Sequence, residues 1–229
     1  MIDTSFNFTS DAAGGDPDLY SPTLRRYHVL LWNRPLPDGR PFNLQAREGG
    51  AYLSFETETE HFVFGSDAIT HSYRNHVRKK HITEQVPDQV NELFDLGCTI
   101  GAYVIFPKNR VDGGLTINQA RGTNRLIDDR FDLTLECIRR HYLGLPSPLQ
   151  DTLARYAGFF RLFGTFSDYV RFFLLDDLLD DAGNIRFHLP FDDFRTPPGF
   201  ATTDDYLLYK ENVCRFVRMR NRRIEGLQR

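Results

Sequence analysis

Between Thr99 and Tyr142 the chain passes from an apolar octet, TIGAYVIF (99–106), through a polar turn into a segment with helical spacing. There Phe131, Leu135, Ile138 and Tyr142 recur four, three and four residues apart. The octet reads as a buried strand. The later spacing puts four large side chains on one face of a helix, and that face must be covered by something else. A chain holding both needs a sheet and a helical layer packed on it.

The remaining segments decide how those layers are arranged. YHVLLWNR, 27 to 34, is rich in aromatic and branched residues and reads as a strand, stopped by Pro35 and Pro37. FNLQA, 42 to 46, reads as a second strand. Gly49-Gly50 then turns the chain into AYLSFE, 51 to 56, with HFVF, 61 to 64, pairing back as a hairpin. Ser66 or Asp67 is placed to cap a polar helix running through Arg78, and a further helical piece covers Asp88 to Asp95, ended by Gly97. After the 131–142 helix, Gly144 and Pro146 make a stop. Ser147, Pro148 and Gln150 then read as N-cap, first helical residue and capping-box partner of the next helix. Thr165 caps another helix that continues to Leu178. IRFHLP, from 185, reads as a strand, and Thr203 caps a last helix over about 204–224. Strands gather in the first half and helices in the second, without the alternation of a doubly wound fold. The expectation is α+β: a strand-rich N-terminal half forming a mainly antiparallel sheet, packed by a helical C-terminal half. Residues 1–22, punctuated by Gly14, Gly15, Pro17 and Pro22, read as a flexible arm, and 23–229 as a single α+β domain.

Composition narrows the function classes. The 20 Phe and 10 Tyr predict a core built on rings. A net charge of −3 provides no global basic field for nucleic acid. The charge is uneven, however. Asp3, Asp11, Asp16 and Asp18 fall in a first twenty residues that contain no Lys or Arg. From Arg215 onward Arg215, Arg218, Arg220, Arg222, Arg223 and Arg229 face Glu225 alone. Cys98, Cys137 and Cys214 are odd in number and far apart, which fits neither a disulfide framework nor a zinc knuckle. No secretory leader opens the chain, and no run approaches the roughly 20 apolar residues of a membrane helix. The expectation is a soluble cytoplasmic protein without membrane partners.

Chemistry is sought first in the turn and helix after the octet. Arg110 and Arg121 have the forked donors that grip phosphate or carboxylate, and Asn118 and Gln119 have amides that read a polar edge. Asn109 stands in the same turn and Arg140 on the following helix. With Asp132, Glu136 and Asp192 as acid–base candidates, these residues form an Arg/Asn/carboxylate cluster suited to a nucleotide, RNA or other phosphate-bearing ligand. The commoner role for such residues is a salt-bridged helix flank, since Glu136 and Arg140 form a favourable i,i+4 pair. No phosphate-loop signature, nucleophile elbow or dinucleotide fingerprint appears, so cofactors stay unassigned and no metal is expected.

TINQARG (116–122), DRFDLTLECIRRHYLG and LPFDDF are long, specific motifs. In these the chain resembles an uncharacterised bacterial family, a domain of unknown function, over roughly residues 27 to 224. The resemblance implies no activity. This chain has Lys108-Asn109-Arg110 where the family's familiar form has Gly-Asn-Arg or Asn-Asn-Arg, and Asp176 where Gln is familiar.

Weaker motifs complete the survey. Arg74-Asn75 and His81 loosely match an arginine-to-histidine spacing of helical ribonucleases, but with 28 basic residues and seven histidines such spacings arise by chance. DDLLDD, 176 to 181, resembles a magnesium-diphosphate motif, yet Asp-Ala-Gly-Asn is good turn chemistry. The alternative function is a non-catalytic protein-interaction module working through the basic C-terminal helix.

Overall fold

Ser21 settles the first long helix. Its hydroxyl accepts from the Leu24 N–H and Pro22 takes the first helical position, so Pro22–Trp32 is a helix (α1). This overturns the strand expected at 27–34. Leu24, Tyr27, His28, Leu31 and Trp32 all face inward at i, i+3, i+4, i+7 and i+8, a periodicity that outweighs the β propensity of the same residues. The computed structural model describes residues 1–46, 52–70 and 79–227.

The sheet is small. Strands Leu53–Glu56 (β1), His61–Ala68 (β2) and Tyr103–Pro107 (β3) form an antiparallel sheet in the order β1-β2-β3. Phe55 stands opposite Phe62, and Asp67 opposite Val104. The expected hairpin is present, but β2 runs on through Ser66 and Asp67, which therefore cap no helix. The rest of that expected helix, residues 71–78, lies outside the described residues. Only Gln45 of the 42–46 segment is bridged, to Ser54. At 185 only Ile185 is bridged, to Leu179, so neither segment is a strand. The octet divides into a 3-10 turn, Ile100–Ala102, and β3. Helix outweighs strand, 48% to 10%, so the fold is α+β, but its N-terminal half is not strand-rich.

The later helices are Pro87–Gly97 (α2), Ile117–Thr123 (α3), Phe131–Leu143 (α4), Gln150–Arg155 (α5), Ala157–Arg161 (α6), Phe166–Phe172 (α7) and Thr203–Gly226 (α8). α4 ends as expected, with Gly144 in the left-handed region at φ 67°. Ser147 makes no cap. Its carbonyl, not its hydroxyl, receives the Gln150 N–H, and the chain breaks again at Tyr156 between α5 and α6. Thr165 caps α7 through the Asp168 N–H, but α7 stops at Phe172, well short of Leu178, with Leu174 at φ 55°. The cap of α8 is Thr202, in a reciprocal box with Asp205.

One contiguous apolar cluster unites these parts. Trp32, Phe42, Phe64, Phe159, Phe163, Tyr169, Phe172 and Phe173 form its ring-rich centre, with Tyr169 and Phe173 centroids 4.9 Å apart. Arg220, fully buried on α8, donates to the carbonyls of Phe173, Gly101 and Tyr103, so one side chain ties α8 to the end of α7 and the start of β3. Gly101 permits this approach: a Cβ there would sit 2.7 Å from the Val217 carbonyl.

Residues 1–22 run along this body. Phe8 is fully buried between Tyr27 and Tyr103, at centroid distances of 5.8 and 5.6 Å. Asp11 accepts from the Ser21 hydroxyl and the Thr23 N–H. A one-turn helix, Pro17–Tyr20, lies against β2 and brings Asp16 and Asp18 to it.

Candidate functional site

That docking encloses a cavity of about 350 Å³ between the N-terminal segment and the edge of the sheet. Asp16, Asp18 and Leu19 form one wall, and Tyr52, Ser66 and Asp67 come from the sheet side. Lys108 and Arg110, leaving β3, and Thr116, Asn118 and Gln119, at the start of α3, complete it. The turn singled out in the sequence therefore does reach a concave site, but the opposite wall comes from residues a hundred positions earlier.

The inner end is anchored on a polar chain. The Trp32 indole N–H donates to His28 Nδ1 at 3.2 Å, which leaves the imidazole proton on Nε2, 2.9 Å from Ser66 Oγ. Burial, with the nearby Arg220 charge, lowers the His28 pKa to about 3, so the ring is neutral and donates to Ser66. His28 thus cannot take the Ser66 proton, and the pair is no serine–histidine nucleophile. The Ser66 hydroxyl hydrogen-bonds Asp18 in turn. Burial, then the neighbouring Asp67 and Asp16 charges, pushes the Asp18 carboxyl up to about 8, which keeps it largely protonated at neutral pH.

Beneath the cavity lies Arg121, fully buried. It pairs with Asp67, approaches Asp129 at 3.3 Å, and donates to Thr134 Oγ1 at 3.2 Å, the Ala68 carbonyl at 3.1 Å and the Asp129 carbonyl at 2.7 Å. Burial and the nearby Asp129 raise the Asp67 carboxyl against the pull of Arg121. One cation thus holds two buried carboxylates, and its loss would leave both unpaired.

Two polar atoms around the cavity have no hydrogen-bond partner among the described residues, Asp18 Oδ1 and Asn118 Oδ1, while the Tyr52 hydroxyl hydrogen-bonds Arg25. The orientation of the Asn118 amide is fixed by its Nδ2, which donates to the Ser66 carbonyl at 3.2 Å. Lys108 and Arg110 are exposed at the mouth and form no ion pair among the described residues. Among those residues no group of three or more His, Cys, Asp or Glu is arranged to hold a metal ion.

The residues proposed from sequence separate into three places. Arg110, Asn118 and Gln119 line the cavity, although Gln119 Oε1 also accepts from the Thr116 N–H in the α3 capping box. Asn109 faces elsewhere: its Oδ1 receives the Val63 N–H at 3.4 Å and its carbonyl the Tyr156 hydroxyl at 2.9 Å. Arg121 lies under the floor with its donors used. On α4, Glu136 is gripped by Arg139 at 2.7 and 2.9 Å and by Arg140 at 2.8 Å, while Arg140 also meets Asp193 and the Pro146 carbonyl. Asp132 is fully buried against Arg130 and the His188 N–H. Burial alone would raise that carboxyl; His188, Arg130 and the backbone donor outweigh it and hold it below its ordinary value. Asp192 closes a turn by accepting from the Thr196 hydroxyl at 2.6 Å and the Arg195 N–H at 3.1 Å, and it lines a separate hollow of about 300 Å³.

Nothing in the sequence marks Asp16, Asp18, Tyr52, Ser66, Asp67, Lys108 or Thr116 as residues of one site; the acidic run before Tyr20 is the one signal that points toward them. Arg74 and Asn75 lie outside the described residues, and His81 is exposed. Asp180 accepts from the Ala182 and Asn184 N–H groups in a turn. On α8, Arg220 is buried, Arg218 meets Glu92 and Arg223 meets Asp177, so much of the basic helix is engaged within the fold. None of its described residues, nor those of any other helix, forms a stretch long and apolar enough to cross a membrane.

A family model described as a family of unknown function (DUF6994) matches residues 2–224. No curated protein and no solved structure matches the chain. The chain belongs to that family, and the match takes in the N-terminal segment that walls the cavity.

Proposed function

We propose that this member of a family of unknown function binds a small phosphate-bearing ligand in the cavity between its N-terminal segment and the sheet edge. The observation that carries this reading is the pair Lys108 and Arg110, exposed at the mouth of one concave site and forming no ion pair among the described residues. Lys108 and Arg110 at the mouth supply the positive charge, and the arginine fork suits a phosphate oxygen pair. A cavity of about 350 Å³ takes a small molecule, a mononucleotide at most, which argues against extended RNA.

The same cavity can support acid–base chemistry. Asp18, with a pKa near 8 and a hydrogen bond to Ser66, exchanges a proton close to neutral pH. In an enzyme reading it takes the role first given to Asp132 and Glu136, whose carboxylates are committed to arginines.

The test is a calorimetric screen of phosphate monoesters and mononucleotides against the wild type, Lys108→Ala/Arg110→Ala and Arg140→Ala. Binding by the wild type and by Arg140→Ala, lost in the double variant, is expected. A wild type that binds none of them, or a double variant that binds as well, overturns the proposal.

A further inference from the structure

We infer that residues 13–20 form a proton-controlled flap over this cavity, docked while the Asp18 carboxyl holds its proton and lifted when that proton leaves. This goes beyond the ligand reading above and does not depend on it, since it concerns the wall of the cavity and not its contents.

The flap has fixed ends and a weakly held middle. On one side Phe8 is buried in the core and Asp11 accepts from the Ser21 hydroxyl at 2.6 Å; on the other, Ser21 caps α1. The Asp11–Ser21 contact closes the neck of a loop whose first turn, at Ala13 and Gly14, lies in the left-handed region at φ 50° and 76°. Between these anchors the one-turn helix Pro17–Tyr20 contributes no fully buried residue, and Leu19 and Tyr20 are exposed. A segment with so little buried apolar surface opens at low cost. Its docking on β2 therefore depends on its polar groups, and Asp18 is the one that reaches furthest in.

Asp18 is placed as an acid and not as a carboxylate. The Ser66 hydroxyl hydrogen-bonds its carboxyl, and Oδ1 is enclosed without a partner among the described residues. Asp16 on its own turn and Asp67 on β2 add negative charge around it. The cations nearby are committed elsewhere. Arg121, behind Asp67, is shared between Asp67 and Asp129, and Arg25 on α1 hydrogen-bonds the Tyr52 hydroxyl. Lys108 and Arg110 stand at the mouth. His28 is neutral, and burial raises Tyr52, Tyr103 and Cys98, so these too carry no charge.

Burial and the two aspartates push the docked Asp18 carboxyl up to about 8, whereas lifted into water it returns toward its ordinary value of 3.8. Opening between those values releases one proton. The docked state is fully favoured below 3.8, and its advantage is lost as pH rises through about 8. Acid closes this wall of the cavity, and rising pH opens it.

Amide hydrogen exchange reads the flap directly. The Leu19 and Tyr20 N–H groups both donate to the Asp16 carbonyl at 3.0 Å, and a single turn lifted from the sheet does not keep such bonds. Their protection, corrected for intrinsic exchange rate, is followed by mass spectrometry from pH 5 to pH 7 on the wild type and Asp18→Asn, with α4 as the internal reference. In the wild type it should fall by about tenfold per pH unit, the slope of one released proton. In Asp18→Asn, whose carboxamide stays uncharged, it should stay level. Wild-type protection that is level with pH, or a fall as steep in Asp18→Asn, overturns the flap. A fall shared equally by α4 is unfolding of the whole domain and overturns it as well.

Discussion

At the scale of the residue, three carboxylates show how burial alone fails to predict behaviour. Asp132 is fully buried yet has its pKa held down, because Arg130, His188 and a backbone donor converge on it. Glu136 is almost as buried and is enclosed by two arginines. Asp18 has no cation of its own, and burial with the neighbouring aspartates raises it to about 8. For a carboxyl raised on folding, the native state holds the proton more tightly than the unfolded chain. Its favourable contribution is complete below the unfolded value of 3.8 and is lost as pH rises through about 8. Asp18→Asn should therefore match the wild-type melting temperature near pH 4 and exceed it by several degrees at pH 8. Melting curves across that range check the prediction, and a gap that narrows with rising pH contradicts the sign.

At the scale of the element, α1 shows two local rules in competition. Its residues favour strands one by one, yet Ser21-Pro22 begins a helix and the inward positions keep helical spacing. Removing the cap should expose that balance. Ser21→Ala takes away both the Leu24 N–H acceptor and the donor to Asp11. It should cost about 1–2 kcal/mol in urea unfolding; a loss under a few tenths would mean that packing of α1 alone holds it. The same competition ran the other way at Ser147-Pro148, where the capping pattern is present but the helix begins at Gln150. Tertiary packing of Leu149, fully inside the core, fixes the chain there in a turn.

At the scale of the whole molecule, the N-terminal segment closes one side of the core and one side of the cavity. Phe8 sits between α1 and β3 with no exposed surface, a placement that punctuation by glycine and proline does not foretell. Phe8→Ala should lower stability by about 3–5 kcal/mol, measured by chemical denaturation, whereas truncation of a loosely held arm residue would cost almost nothing. Some of this architecture was legible in the chain itself. The 4-3-4 spacing placed α4, Gly144 ended it, and the β1–β2 hairpin and the ring-built core followed from local pattern and composition. Arg110, Asn118 and Gln119, polar residues crowding the end of a buried strand, are visible in the sequence as a run, and they line the cavity. What tertiary structure decided was everything that depends on contact at long separation. Asp18 meets Ser66, and Arg121 meets Asp67, across about fifty positions each. Periodicity records which way a side chain faces along its own element, but not which distant element it meets there. The sequence by itself therefore determined α4 with its stop, the hairpin and a list of polar candidates, but neither α1 nor the extent of the sheet; only the folded chain sorted the candidates, turning Arg121, Asp132 and Glu136 inward as supports and bringing Arg110, Asn118 and Gln119 to the cavity.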